Sequence, residues 1–295
     1  MQGFRIDGDF ELNGASVRAI CVLRETGKKE FSVDDNVYEK FAQHIGKFPC
    51  VIIAPDDVQI ITEGSEERRR FLDSLICQLD PKYLQSLMEY NRILQQRNGF
   101  LKSIADTGRY DTQLLQVYDE QLCETGNYVF EKRAELLEDL LRLVKEYYDE
   151  ISGSGEPVSI SYSSQLAQTP FAGLLKQFRE KDLLLQRTNA GIHKDDIEMT
   201  FNNQMFKNVA SQGQRKSLLF ALKLAEFEIL HHRKGFAPLL LLDDVFEKLD
   251  EIRMDNLLHW VCIKNSGQVF ITDTHNERIH EHLDELKVKY QLITL

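Results

Sequence analysis

Two stretches of this 295-residue chain combine residue types that could do chemistry. In "PLLLLDD" (Pro238 to Asp244) four leucines run into paired aspartates. Leu239 to Leu242 read as a strand apolar on both faces, as a parallel strand buried under helices must be. Carboxylates at the end of such a strand face the crevice where ligands bind. Asp243 is suited to hold a Mg2+ ion, through water, and Asp244 to polarise an attacking water. In "SQGQRKSLLFALKLAEFEIL", Ser211 and Gly213 sit where a helix begins. Gly213 lets backbone N–H groups approach an anion closely. The helix is apolar nearly all round from Leu218 to Leu230, hence buried. A strand with an acidic turn and a capped core helix would each be ordinary alone. A glycine turn, then an acidic strand within thirty residues, then "EKLD" ending at Asp250, then "FITDTH", together read as a phosphate-handling site.

The elements that must position these residues follow from patterning. Residues 1–62 alternate as short antiparallel strands, with a turn at Thr26-Gly27 and a buried strand in "FPCVIIAPDD" stopped by Pro55. From Gly64 the pattern is helical for nearly ninety residues. Ser65 reads as a helix cap with Glu66 and Glu67 in the first turn, and Pro81 as the first turn of a second helix. Leu84, Leu87, Asn91, Leu94, Asn98 and Leu101 keep heptad spacing, with the asparagines expected to fix register. A third helix, about 111–149, carries Leu114, Val117, Tyr118, Leu122, Val129, Phe130, Leu137, Leu141, Val144 and Tyr148 on one face. The expectation is an antiparallel arm, mostly solvated, with a net charge of −6 between Glu63 and Glu150. "SGSGEP" is a linker. Beyond it come the strand "VSISYSS", the helix "TPFAGLLKQFREKDLLLQRT", a hairpin turning at Asn202-Asn203, the strand "SGQVFITDTH" and a last short strand, "KYQLITL".

Composition narrows the class. At 42% hydrophobic and 28% charged the chain is an ordinary globular protein. It has no run long enough for a membrane helix and no secretion leader, so the expected location is cytoplasmic. The five cysteines are scattered, which argues for reduced thiols rather than disulfides or a metal site. "HNERIHEHL" reads as a solvated helix start. The net charge of −11 gives no support to a protein that coats nucleic acid through its overall charge. A local patch remains open: Arg68, Arg69 and Arg70 are candidate DNA contacts, or solvated helix charge beside Glu66 and Glu67.

The order of these motifs resembles the ABC-type ATPase heads of chromosome-maintenance and recombination proteins, and in detail the RecF family. "SQGQR" is similar to the signature motif, "LLLLDDVFEKLD" to Walker B with its D-loop, and "FITDTH" to the switch strand. "ITEGSEERRRFLDSL", "YNRILQQRNGFLK" and "GIHKDD" resemble the family outside those motifs. The resemblance implies an α/β fold, an ABC-type ATPase head of mixed β-sheets and helices with an inserted α-helical arm. Residues 1–62 and 151–295 would be parts of the head and 63–150 the arm. It implies ATP and Mg2+ as cofactors, with Ser211, Gln212, Gly213, Asp250, Thr272 and His275 at the nucleotide, Asp243 at the metal and Asp244 as the catalytic carboxylate. Aspartate stands at 244 where most ABC ATPases carry glutamate, which fits slow hydrolysis. Whether Thr272, Asp273 or His275 senses the γ-phosphate is open at this point.

No G-x-x-x-x-G-K-[ST] occurs in the 295 residues. The resemblance places that loop ahead of "MQGFRIDG", so Met1 is expected to be a truncation or misplaced start; the alternative is a head that has lost ATP binding. The implied function is an ATP-dependent clamp on single-stranded DNA or gapped duplex. It would be a head-to-tail homodimer, a weak DNA-dependent ATPase, with RecR and RecO as partners that help load RecA. Rival readings are another short-armed ATPase of the same superfamily, or a degenerate head serving as an interaction module.

Overall fold

The computed structural model describes residues 3–12, 14–153, 155–244, 249–273 and 276–293. The chain divides into two compact units, Met1–Phe48 and Pro49–Leu295. The first holds strands β1 (Phe4–Leu12), β2 (Ala15–Leu23), β3 (Lys29–Val33) and β4 (Asn36–Val37) in an antiparallel meander. Gly14 and Gly27 take positive φ in its turns, the second at the Thr26-Gly27 position expected from sequence. A small aromatic cluster stacks inside this unit, with Phe10 against Phe48 and Phe31 against Tyr38 and His44. The second unit begins at Pro49, where the next strand, β5 (Cys50–Ile53), pairs with a strand nearly two hundred residues on.

The second unit continues with helices α1 (Gln59–Thr62), α2 (Ser65–Leu79), α3 (Pro81–Thr107) and α4 (Thr112–Ser152). Asp80 caps α3 through the amides of Lys82 and Tyr83, and Asp111 caps α4 through those of Gln113 and Leu114. Gly108 and Gly153 end the two helices in the left-handed conformation. Then come β6 (Val158–Ser163), α5 (Phe171–Gln177), α6 (Arg179–Leu185), β7 (Asp196–Phe201), β8 (Gln204–Met205), α7 (Phe206–Val209) and α8 (Gln212–Lys234). The unit closes with β9 (Leu239–Asp243), α9 (Glu251–His259), β10 (Val269–Thr272) and α10 (Asn276–Glu285). The sheets are the parallel trio β10-β9-β5 and the antiparallel trio β6-β7-β8. As expected, the β7–β8 hairpin turns at Asn202 and Asn203, both at positive φ.

The helical segment is not a detached arm. Leu136, Leu140, Val144 and Tyr148 of α4 join Leu218 to Leu230 of α8, Val51 and Ile53 of β5, and Leu240 and Leu242 of β9 in one core. The hydrophobic pattern located α4's buried face from Leu122 onward, but Leu114 and Val117 are exposed while Leu115 and Asp119 are buried. On α3 the buried line is Tyr83, Tyr90, Ile93, Arg97 and Leu101, displaced from the heptad expected through Asn91, which is exposed. The displacement has a physical cause: the true stripe contains charged residues that are paired, so apolar spacing alone misplaces it. Asn98 does not fix a helical seam; its Oδ1 accepts from the backbone and hydroxyl of Thr188 at 2.7 and 2.8 Å. The expected helix from Thr169 is broken into α5 and α6 at Phe178, and of the expected last strand residues 289–293 form none while 294–295 lie outside the described residues.

Candidate nucleotide site

β9 lies between two parallel neighbours, with Thr272 in register with Asp243 on one side and Ile53 in register with Leu242 on the other. Its carboxyl end therefore opens onto the crevice where α/β sheets bind ligands. Asp243 is exposed, and its Oδ1 accepts a hydrogen bond from Thr272 Oγ1 at 2.5 Å. Asp244 turns the chain off the sheet at φ 47° and donates its backbone N–H to the Thr272 carbonyl at 3.0 Å. Its Oδ1 is buried with no hydrogen-bond partner among the described residues. A buried carboxylate oxygen without a donor is costly, and it is the kind of atom that a cation or its bound water satisfies. No group of three or more His, Cys, Asp or Glu among the described residues is arranged to cage a metal. A Mg2+ ion here would take Asp243 or Asp244 as a protein ligand and complete its octahedron with water and phosphate oxygens.

The sequence reading missed a third acidic contributor. β5 ends at Ile53 beside Leu242, so Ala54–Val58 leaves the same sheet edge as Asp243. Asp56 is exposed there, and Asp57 Oδ2 accepts the Ala54 N–H at 2.9 Å. The signal was in the sequence, since "VIIAPDD" and "LLLLDD" share one grammar of apolar strand and paired acids.

The glycine turn forms a second cluster. Ser211 caps α8 in a reciprocal box with Gln214, Ser211 Oγ accepting from the Gln214 N–H at 3.2 Å and Gln214 Oε1 from the Ser211 N–H at 2.9 Å. The first-turn amides of Gln212 and Gly213 have no acceptor within the helix, which makes this end an anion-facing surface. Asp250 caps α9, accepting from Arg253 N–H at 2.9 Å and from its Nε at 3.1 Å. Asp250 thus heads α9, and Arg253, which it holds, links it to Ser217 of α8 through Nη1 at 2.6 Å. Among the described residues no hydrogen bond or ion pair joins Ser211–Gly213 to Asp243 or Asp244. His275 and residues 245–248, within the expected D-loop, lie outside the described residues.

Arg68, Arg69 and Arg70, the candidate DNA contacts, all have partners within the chain. Arg68 is buried and forked onto Asp196 at 2.6 and 3.0 Å, and it also donates to the carbonyls of Ile60 and Glu63. Arg69 donates to the Asp195 carbonyl at 2.7 Å. Arg70 is exposed but spans Glu66 and Glu67. The arginine run therefore holds "GIHKDD" in place, and α3 and α4 grip the same loop. Arg133 donates to Asp195 Oδ2 and the Ile192 carbonyl, both at 2.8 Å. His193 Nε2 donates to the Thr188 carbonyl at 3.1 Å, which leaves Nδ1 to accept from Tyr90 Oη at 2.7 Å. Burial pushes this imidazole down to about 4, so it is a neutral structural histidine.

No family model matches the chain. It is 41% identical over 292 residues to the DNA replication and repair protein RecF of Flavobacterium johnsoniae, covering 99% of this chain and 81% of that relative. It is 42% identical over 287 residues to RecF of Parabacteroides distasonis, covering 97% and 78% of the two chains. A solved structure of the recombination mediator protein RecF-ATP in the RecFOR pathway superposes with a TM-score of 0.81 at 29% identity, covering 93% of this chain and 75% of that one. The mixed α/β fold is thus shared with a solved RecF structure, and the chain belongs to the RecF family of DNA replication and repair proteins.

Proposed function

We propose that this chain works as an ATP-dependent clamp on single-stranded or gapped duplex DNA in recombinational repair, with RecR and RecO as partners and RecA loaded through them. The observation that carries this reading is the separation of the two clusters. Asp243 and Thr272 end one sheet with Asp244 following, whereas Ser211, Gln212 and Gly213 begin α8 and Asp250 reaches them through Arg253 and Ser217, and among the described residues no hydrogen bond or ion pair joins the two groups. Each is half of a nucleotide site, and a head-to-tail pair of chains would bring one chain's half to the other's. In this reading 1–62 and 151–295 form the head and 63–150 is its insertion. ATP would lie between the halves and neutralise its charge on Mg2+. Asp243 would hold the ion, Asp244 would orient water, Thr272 would keep Asp243 fixed, and the Gln212 and Gly213 amides would face phosphate oxygens. No helix among the described residues is long and apolar enough to cross a membrane.

The 295 residues contain no phosphate-cradling G-x-x-x-x-G-K-[ST], so weak ATP binding is expected of this chain by itself. The test joins the corresponding loop segment of the Flavobacterium johnsoniae RecF ahead of Met1 and follows association and DNA binding with and without ATP and Mg2+. Both should become ATP-dependent, and Ser211→Arg should abolish them. Asp244→Asn should preserve association and slow hydrolysis by about a hundredfold or more, the scale of a lost general base. Partner and DNA binding indifferent to ATP would replace the clamp with an interaction module.

A further inference from the structure

The turn at Ser211–Gly213 and the cap at Asp250 are joined by an ion pair that neither motif contains. Arg253 lies on α9, and Glu156 lies in the segment leading into β6. Arg253 Nη2 donates to Glu156 Oε1 at 2.7 Å, with both side chains largely buried at 11% and 15% exposure. The guanidinium then reaches the turn by two routes. Its Nη1 donates to Ser217 Oγ at 2.6 Å, and that hydroxyl donates to the Gly213 carbonyl at 3.0 Å. Through Glu156, whose Oε2 accepts from Gln214 Nε2 at 3.0 Å, it also holds the capping partner of Ser211. The same oxygen accepts from Tyr148 Oη at 2.5 Å, which ties the node to the end of α4. Arg253 itself bonds Asp250 through Nε and its backbone amide.

We infer that Glu156 and Arg253 are positioning residues that lock the glycine turn and the Asp250 cap into one unit and anchor that unit to the helical segment. Buried ion pairs add little net stability over apolar replacements. Here the pair satisfies donors and acceptors from three separate elements, the end of α4, the head of α8 and the cap of α9, and it fixes the carbonyl of the turn glycine at one end and the capping box at the other. The idea rests on the clamp reading for its consequence, since a misaligned turn would meet ATP poorly. Its geometry stands independently.

The test compares Glu156→Gln, Arg253→Met and the double variant by amide hydrogen exchange in the 295-residue protein. Gln keeps the shape of Glu156 and loses its charge. Exchange at Gln214, Arg215 and Arg253 should quicken about tenfold or more, as for one lost charge-assisted hydrogen bond, while α3 stays unchanged. The double variant should do no more than the stronger single. An unchanged turn, or acceleration spread equally over α3, would overturn the assignment. With the loop segment joined, each variant should raise the ATP concentration for half-maximal association and keep the saturated level, which a global loss of fold would lower. Should even the unsubstituted protein show no ATP-dependent association, the clamp fails, and the exchange result still decides the positioning pair.

Discussion

Glu226 lies buried on α8 with one carboxylate oxygen lacking a hydrogen bond, the Lys223 ammonium 3.7 Å away and the Asp57 carboxylate sharing that ammonium. Burial pushes its carboxyl up to about 7. The folded state therefore keeps the proton longer than the unfolded one, so stability falls as pH climbs from about 4.5 to about 7 and is flat above. The span corresponds to about 3 kcal/mol, and Glu226→Gln should remove the slope and raise the denaturation midpoint at pH 8. His193 acts in the opposite direction. Its folded value is depressed to about 4 from an ordinary 6.5, so its contribution is complete above 6.5 and is lost as pH falls toward 4. Urea titrations across pH 4 to 8 check both signs. Gly191 gives a steric counterpart. It sits at φ 131°, and a Cβ there would lie 2.5 Å from Tyr90 Oη and 2.7 Å from Phe171 Cζ. Gly191→Ala should lower stability by about 1–3 kcal/mol or more, since strain and overpacking coincide. None of these three was legible beforehand: Glu226 reads as one polar residue on an apolar helix, and nothing in "GIHKDD" tells that its glycine meets Tyr90.

Between elements, what holds the helical segment to the rest of its unit is charge inside the core. Arg97 of α3 is fully buried and donates to Asp119 of α4 at 2.8 Å, to Asp182 of α6 at 2.7 Å and to Thr188 Oγ1 at 2.8 Å. Arg97→Met would leave two carboxylates without their shared partner, and breaking such a cluster from one side costs about 3–5 kcal/mol. Adding Asp182→Asn should return part of that loss, measurable as a non-additive shift in denaturation midpoint. The helices themselves were plain in the sequence, down to the Pro81 entry and the start of the third near 111, although Gly64 rather than the expected Ser65 stands at the cap of α2. Their facing was not, because Arg97, Asp119 and Arg133 occupy the buried stripe where the pattern expects apolar residues. The acidic strand and the capped turn were legible for the opposite reason: a strand buried on both faces and a helix buried all round leave little freedom in what can follow them. The pairing of β5 with β9 was not, since register across nearly two hundred residues has no local signature.

At the scale of the whole second unit, one continuous core implies one cooperative transition. Trp260, the only tryptophan of the chain, stacks edge-on against Tyr147 of α4 and Phe227 of α8 at 5.5 and 5.7 Å. It therefore reports the seam between the helical segment and α8. Helical circular dichroism, dominated by α3, α4 and α8, reports the helices wherever they stand. The first unit holds none of the long helices and no tryptophan, so it is nearly silent in both signals. For an independent arm, the dichroism would fall in a separate step while Trp260 stayed buried. With Leu136 to Tyr148 seated in the core of α8, the two signals should instead trace the same curve. Arg97→Met, made far along α3 from the tryptophan, should shift both curves together by the same amount. Coincidence would make the helical segment and the head one thermodynamic body, so that a change at the end of α4 is felt at the glycine turn through the Tyr148–Glu156 contact. Separate transitions would mean that the insertion folds alone, and the anchoring of the turn to α4 would then carry no force.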